Sequence, residues 1–239
     1  MRLKNIVFTA FLCMMALGLH AQSLKIASFN IRYANQSDTG NLWVDRAPVV
    51  SNLIRFHDFD VFGVQEALKN QLQDISTALP EYSRYGVGRD DGKEGGEHSA
   101  IYYLKEKYEL MDKGDFWLSE TPDKPGKGWD ATCCNRICSW VSLKDNKTKK
   151  MFYVFNVHFD HQGKIARVES GKLMVKKIKE IAGNKPVVLT GDFNGDRESE
   201  WYKTIANSDI LKDSHGLVKH PYQNNSSSNG FRTPRSMRV

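Results

Sequence analysis

The sequence predicts an α/β fold in which layers of strands and helices pack on one another. Two observations lead to this prediction: short apolar runs with the length of buried strands, and longer segments in which apolar residues recur at helical spacing. The two kinds of segment alternate along the chain. With 239 residues, of which 40% are apolar, the chain is long enough for one large domain with a substantial core.

The first 21 residues have the pattern of a signal peptide. Arg2 and Lys4 provide a basic start, residues 6–19 are apolar, and Ala21 is a small residue before the expected cleavage point. The apolar run is too short to span a membrane, and no later segment is as hydrophobic. We therefore expect export to the periplasm or the extracellular space, no stable membrane insertion, and a mature domain of residues 22–239.

The first predicted strand and helix follow the signal peptide. Residues 24–31 are rich in apolar side chains and predict the first strand. Asp45 can cap the helix that comes next, which has Pro48 in its first turn, where proline is tolerated. The apolar face expected for this helix consists of Val49, Val50, Leu53, Ile54 and Phe56.

A second strand and helix come next in the chain. Residues 61–64 are all apolar or glycine and predict a short buried strand, and residues 68–79 predict a helix. The apolar face of this helix consists of Leu72, Ile75 and Leu79. A glycine-rich loop over residues 86–96 then leads to a strand at residues 99–103.

The remaining predicted elements form a hairpin, a helix and a strand. Residues 137–143 and 151–159 are two apolar-rich runs joined by a short polar turn, which predicts a hairpin. Residues 165–182 predict an amphipathic helix with a glycine directly after it. Residues 186–190 predict a last buried strand. The side chains expected inward on the helix are Met174, Val175, Ile178 and Ile181.

Three cysteines remain after the signal peptide, so at least one stays unpaired within a single chain. Adjacent cysteines rarely bond to each other, and we therefore expect Cys138 to pair with Cys133 or Cys134 if a disulfide forms. The sequence has no second group of cysteines or histidines at ligand spacing, which argues against a zinc site. His98 is expected at the surface.

Polar residues follow the predicted strands at the points where the strands end. Asn30 lies at the end of the first strand, Glu66 follows the second, His158 ends a hairpin strand, and Asp192 and Asn194 follow the last strand. A buried strand gains nothing from such an ending. Polar residues at the rim of a sheet commonly build a site, because the rigid strands fix their geometry.

These residue types suit a hard cation and a phosphate. Carboxylate and amide oxygens without a thiolate favour Mg²⁺, with Mn²⁺ or Ca²⁺ as alternatives. Glu66 can hold such an ion, which polarises phosphoryl oxygens. Asp192 can orient and deprotonate a water, and Asn30 and Asn194 can hold that water or phosphate oxygens. His158 can donate a hydrogen bond to phosphate if a carboxylate fixes its tautomer.

Four motifs, in order, resemble those of the endonuclease/exonuclease/phosphatase superfamily, which includes deoxyribonuclease I. They are Ser-Phe-Asn-Ile-Arg at residues 28–32, Gln-Glu at 65–66, Asn-Val-His-Phe-Asp-His at 156–161 and Gly-Asp-Phe-Asn at 191–194. The resemblance extends over residues 24–213 and looks like an exported bacterial branch. It implies a four-layer sandwich, with two central mixed β-sheets flanked by helices, and a magnesium-dependent phosphoester hydrolase.

The resemblance also implies roles for eight residues. Glu66 falls on the metal-binding glutamate and Asn30 on an asparagine close to metal and phosphate. Asp192 and Asn194 fall on the pair that activates and positions the water. The remaining four are His158 at the family's catalytic histidine, Glu97 near the acid that supports it, and Arg32 and Arg136 at phosphate-contacting positions.

The family pattern ends with an Asp-His pair, and no such dipeptide follows Asn194 in this chain. The tail of residues 232–239 is basic and lacks strand patterning. We therefore expect a C-terminally truncated domain whose final strands are missing. The alternative function is a catalytically impaired remnant that at most binds phosphate ligands.

The substrate class stays open between nucleic acid, a phospholipid head group and a sugar phosphate, because fold does not choose among them. A formal net charge of +6, spread among acidic residues, does not indicate nucleic-acid binding, because a solvated surface has the same charge. The sequence does not define the oligomeric state.

Overall fold

The computed structural model describes residues 23–221, and the predicted signal peptide and the basic tail of residues 232–239 lie outside them. Eight strands and five helices lie within the described residues. The strands are β1 (Ile26–Asn30), β2 (Val61–Gln65), β3 (Tyr82–Tyr85), β4 (Ile101–Leu104), β5 (Tyr108–Trp117), β6 (Ile137–Asp145), β7 (Met151–His158) and β8 (Val187–Asp192). The helices are α1 (Trp43–His57), α2 (Lys69–Ala78), α3 (Lys164–Ala182), α4 (Glu200–Ala206) and α5 (Ser214–Leu217). In this part of the chain no helix combines the length and apolar composition needed to cross a membrane.

The strands form two mixed sheets, in the orders β1-β2-β4-β3 and β5-β6-β7-β8. The pairs β1–β2 and β7–β8 are parallel, and the other neighbours are antiparallel. The predicted hairpin is therefore confirmed as β6 and β7. The two parallel pairs meet where β1 approaches β8. At this point the amide of Gly191 on β8 donates to Oγ of Ser28 on β1 over 3.0 Å.

Three apolar clusters separate four layers. The first cluster lies between the first sheet and helices α1 and α2, and it includes Phe62 of β2 and Leu72 of α2. A second packs α3 and α4 on the other sheet, where Met174 joins Phe155. The third cluster lies between the sheets and consists of Val61, Ile101, Tyr103, Tyr108, Val141, Leu143 and Val154. The predicted α/β sandwich of two mixed sheets flanked by helices is therefore confirmed.

The predicted apolar face of α1 is wrong in part. The helix begins at Trp43, and Asp45 lies inside its first turn without capping it. The indole Nε1 of Trp43 donates to Asp74 on α2 over 2.7 Å, which fixes how α1 is rotated on the sheet. The buried apolar residues of α1 are Trp43, Val50 and Ile54. The predicted core residues that this rotation leaves exposed are Val49, Leu53 and Phe56.

The predicted disulfide is also wrong. The bond joins the neighbours Cys133 and Cys134, in the loop before β6, and Cys138 is a free thiol. Cys138 lies on β6 opposite Val157 and within the cluster under α3, so its side chain points into the core. Complete burial there raises the pKa of the Cys138 thiol well above its ordinary value.

Candidate active site

Polar residues at the ends of both parallel strand pairs meet in one place. Nδ2 of Asn30, at the end of β1, donates to Oε1 of Glu66 and to Oδ2 of Asp192, in each case over 2.8 Å. Glu66 directly follows β2, and Asp192 ends β8 in the other sheet. One amide group therefore joins two carboxylates across the two sheets.

The backbone at these strand ends has an unusual conformation. Arg32, Glu66 and Asn194 have φ angles of 58°, 61° and 44°, in the left-handed region that non-glycine residues avoid. Two of these turns use the same local bond: the amide of Arg32 donates to Oδ1 of Asn30 over 2.9 Å, and that of Asn194 donates to Oδ1 of Asp192 over 3.0 Å. Short Asn and Asp side chains stabilise such turns. Strained backbone of this kind concentrates at functional sites.

A buried hydrogen-bond network lies one strand position behind the site. Oδ1 of Asn156, on β7, accepts from Nε2 of Gln65 over 2.7 Å and from Oγ1 of Thr190 over 3.0 Å. Nδ2 of the same Asn156 donates to the carbonyls of Val64 and Ala100 over 2.9 and 3.0 Å. Asn156 is fully buried. The network therefore ties β2, β7 and β8 together just before their ends.

His158, at the end of β7, lies between two carboxylates. Its Nδ1 is 3.9 Å from Oε2 of Glu97, and its Nε2 is 4.0 Å from Oδ2 of Asp192. Burial, together with the positive charge of Arg136, lowers the pKa of His158 to about 3, so the imidazole is neutral at neutral pH. Burial also raises the pKa of Glu97, and the positive charge of Arg89 opposes this rise.

Arg136 lies beside His158 in a small polar cleft. Its Nε is 3.4 Å from Oδ2 of Asp160, and its Nη2 is 2.7 Å from Nδ1 of His161. Burial lowers the pKa of Arg136, and Arg89 adds to this effect. Its buried Nη1 has no hydrogen-bond partner within the described residues. The cleft is lined by Arg89, Glu97, His98, Ser99, Arg136, Ile137 and His158.

Arg32 differs from Arg136 in its surroundings. Its Nε and Nη2 donate to the two carboxylate oxygens of Asp38 over 3.0 and 3.1 Å. The hydrogen bond to Asp38 raises the pKa of Arg32 and lowers that of Asp38. Arg32 therefore lies two residues after Asn30, but its guanidinium is paired with Asp38 in the same connection between β1 and α1. Its role at a phosphate stays a prediction.

The donor set suits a hard divalent cation. No group of three or more His, Cys, Asp and Glu side chains that could hold a metal lies among residues 23–221. Magnesium, however, is usually held by one or two carboxylates, with water and substrate phosphate as its other ligands. Glu66 and Asp192 supply carboxylate oxygens at one point, where Asn30 presents its amide N–H groups and turns its Oδ1 to the amide of Arg32. A cation there balances two neighbouring carboxylates. The residues therefore fit such an ion.

The structure adds residues to the site that the sequence pattern did not reveal. Arg89 forms a paired salt bridge with Glu97 over 2.6 and 3.0 Å. His98, expected at the surface, is only 3% exposed, and its Nδ1 lies 3.0 Å from the carbonyl of Ala67. The sequence did not indicate a role for Arg89, because it lies in a glycine-rich loop, eight residues before Glu97, and belongs to none of the motifs.

Comparison with known proteins agrees with this geometry. Residues 27–238 match the endonuclease/exonuclease/phosphatase family. A solved protein of this family from Bacteroides thetaiotaomicron is 52% identical, with a TM-score of 0.76 over 78% of this chain and 69% of that chain. A mannosyl-6-phosphatase from the same species is 51% identical, with a TM-score of 0.75 over 77% of this chain and 70% of that chain.

A curated relative comes from a virus. An uncharacterised protein of Acanthamoeba polyphaga mimivirus is 26% identical over 198 residues, which cover 78% of this chain and 72% of that protein. The two Bacteroides proteins are about twice as similar to this chain in sequence.

Proposed function

The chain belongs to the endonuclease/exonuclease/phosphatase family of phosphoester hydrolases, and we propose that its activity depends on a divalent metal ion held by Glu66 and Asn30. The observation that carries this proposal is the contact of Asn30 with both Glu66 and Asp192 over 2.8 Å. Two carboxylates that meet at the ends of strands from the two sheets suit Mg²⁺ or Mn²⁺, and Asn30 would bind the ion through its Oδ1 after rotation of its amide. The bound ion supplies charge stabilisation to the phosphoryl oxygens.

The chain's own residues then handle the water and its proton. Each carboxylate oxygen of Asp192 accepts one hydrogen bond, Oδ1 from the amide of Asn194 and Oδ2 from Nδ2 of Asn30, and a second lone pair on each oxygen can orient a water. Nδ2 of Asn194 donates to the carbonyl of Phe159 over 2.9 Å, which fixes the side chain beside Asp192. Nε2 of His158 lies 4.0 Å from Oδ2 of Asp192, so the imidazole stands beside the proposed water position.

The substrate phosphate has two cationic contacts available. Nη1 of Arg136 is buried at the cleft and has no hydrogen-bond partner in the part of the chain that the structure describes, and a charge-assisted hydrogen bond to a phosphate oxygen would satisfy it. Arg32 can reach a second oxygen only by leaving Asp38. We therefore propose Arg136 as the principal phosphate contact and Arg32 as an outer one.

A sugar phosphate is the substrate class to test first. The support for this choice is the 51% identity to the Bacteroides mannosyl-6-phosphatase over 77% of this chain. Nucleic acid and phospholipid head groups are the alternatives, and a screen with mannose 6-phosphate, an oligonucleotide and sphingomyelin separates the three classes.

The test of hydrolysis compares wild type with Asp192→Ala on 4-nitrophenyl phosphate and its diester, with Mg²⁺, with Mn²⁺ and with EDTA. We expect turnover only with metal, and a loss of roughly a hundredfold or more in kcat for the variant. Asp209→Ala is the matched control, because Asp209 is an exposed acid paired with Lys179. Equal rates in wild type and Asp192→Ala contradict the catalytic role.

The same assay separates the alternative of an impaired remnant. That alternative predicts binding of inorganic phosphate without turnover under any metal. Glu66→Gln then tests the metal site by itself: isothermal titration with Mn²⁺ should show a weaker affinity in this variant. An unchanged affinity excludes Glu66 as a ligand.

A further inference from the structure

The glycine-rich loop between β3 and β4 is a compact hairpin of its own. The amide of Arg89 donates to the carbonyl of Glu97 over 3.0 Å, and that of Asp90 donates to the carbonyl of Gly95 over 3.1 Å. Oδ1 of Asp91 accepts from the amides of Lys93 and Gly95, both over 2.8 Å. The loop therefore holds the first and last of its polar residues, Arg89 and Glu97, directly opposite each other.

The side chains of this pair meet in a fork. Nη1 of Arg89 donates to Oε2 of Glu97 over 2.6 Å, and Nη2 donates to Oε1 over 3.0 Å. The side chains are only 12% and 16% exposed, so solvent screens the pair weakly. Two parallel hydrogen bonds fix the plane of the carboxylate as well as its position.

One of the two Glu97 oxygens that Arg89 holds faces the histidine. Oε2 of Glu97 lies 3.9 Å from Nδ1 of His158. This separation is longer than a hydrogen bond, and such contacts tighten when substrate is bound. A carboxylate acceptor at Nδ1 keeps the proton on that nitrogen and leaves Nε2 of the neutral ring as an acceptor, which donates to a phosphate oxygen only once the ring takes up a second proton.

Arg89 is itself held from behind. Its carbonyl accepts from Nε1 of Trp117 over 2.7 Å and from Nδ2 of Asn135 over 3.2 Å. Trp117 is a buried residue at the end of β5, and Asn135 directly precedes Arg136. The position of Arg89 is therefore fixed by the second sheet, although its loop connects strands of the first sheet.

We propose that Arg89 is a positioning residue of the hydrolytic site, which holds Glu97 in the orientation that fixes the tautomer of His158. This inference rests on the proposed role of His158 in hydrolysis. Lysine cannot replace Arg89 in this role, because an ammonium group offers a single point of charge and no planar fork. A role in folding alone predicts instead that any change at Arg89 acts only on stability.

The kinetic test uses Arg89→Gln, Arg89→Lys, Glu97→Gln and the double variant Arg89→Gln/Glu97→Gln with 4-nitrophenyl phosphate and Mg²⁺. We expect both Arg89 variants to lose roughly ten- to hundredfold in kcat with little change in KM, because a small displacement of a catalytic group has this effect. The double variant should be no slower than Glu97→Gln alone, since Arg89 acts through Glu97. Arg84→Gln is the control, because Arg84 is exposed on β3.

A second measurement does not depend on turnover. Long-range ¹H–¹⁵N correlation spectra of the histidine rings, with the His158 signals assigned by their loss in His158→Asn, report its tautomer in the metal-free protein. We expect a proton on Nδ1 in wild type and a mixture of tautomers in Arg89→Gln. An identical tautomer in both proteins overturns the inference, as do effects of the Arg89 and Glu97 changes that multiply. A protein that lacks turnover but shows the expected tautomer change leaves the positioning role intact and refutes the proposed hydrolysis.

Discussion

Asn156→Ala removes the centre of the buried network that joins the strands behind the site. In the wild type, Asn156 accepts from Gln65 and Thr190 and donates to the carbonyls of Val64 and Ala100. Thr190 can still donate to the carbonyl of Phe155 over 3.1 Å. In the variant, the groups that chiefly lose a hydrogen bond are therefore one N–H of Gln65 and the carbonyl of Val64.

The size of the effect follows from these losses. A buried polar group that loses its partner costs about 1–3 kcal/mol, and two such groups together with the small cavity give a destabilisation of about 3–5 kcal/mol. Thr190→Val keeps the volume and removes one hydroxyl, so it should cost about 1 kcal/mol. The two variants thus form a graded pair at neighbouring positions, since Asn156 and Thr190 are directly paired across β7 and β8.

Urea unfolding followed by circular dichroism measures both free energies of unfolding. A lower midpoint with an unchanged slope shows a change in stability alone. A loss below about 1 kcal/mol in Asn156→Ala refutes the reasoning, because it means that water or a rearranged side chain replaces all four hydrogen bonds. A larger loss in Thr190→Val than in Asn156→Ala also contradicts it.

Two further predictions concern the same region. Burial lowers the pKa of His158 to about 3, below the value of about 6.5 in an unfolded chain. Between these pH values the folded state binds fewer protons than the unfolded state, so the free energy of unfolding should fall with falling pH by up to about 1.4 kcal/mol per pH unit. Urea unfolding of the metal-free protein measures this dependence, and His158→Asn should lack it. Gly63→Ala should destabilise the protein by about 1–3 kcal/mol, because its Cβ would lie 2.5 Å from Oδ1 of Asn156 and 2.6 Å from Oγ1 of Thr190; a thermal midpoint equal to that of wild type contradicts this.

The sequence predicted the long helices and six strands, including the edge strands β1 and β8, whose apolar patterns are strong, and did not predict the other two edge strands, β3 and β5. β3 has only four residues, and β5 has a register shift between Leu110 and Asp112 that breaks its alternation. Both strands carry polar side chains that reach solvent, so neither shows a clear apolar pattern. The rotation of α1 also escaped prediction, since it depends on the contact of Trp43 with Asp74.

The candidate site was predictable where its residues follow strand ends. Asn30, Glu66 and Asp192 stand out because a buried strand has no other reason to end in them, and the structure brings all three together. The role of Arg89 was not predictable, because it depends on the salt bridge to Glu97, which forms only when the loop folds and brings the two residues opposite each other. The disulfide between Cys133 and Cys134 was not predicted, because cysteines that are adjacent in sequence rarely bond to each other.

The buried network and the strained turns belong to one arrangement. Residues with left-handed backbone, such as Glu66 and Asn194, cost about 1–3 kcal/mol each and persist only when their surroundings fix them. Gln65 directly precedes Glu66, and Thr190 precedes Asp192 by two residues, and both bond to Asn156. A fully bonded polar group in a core sets one strand register, because any slip leaves it unpaired. The network therefore holds the strand ends in the register that brings Glu66 and Asp192 to the same amide of Asn30.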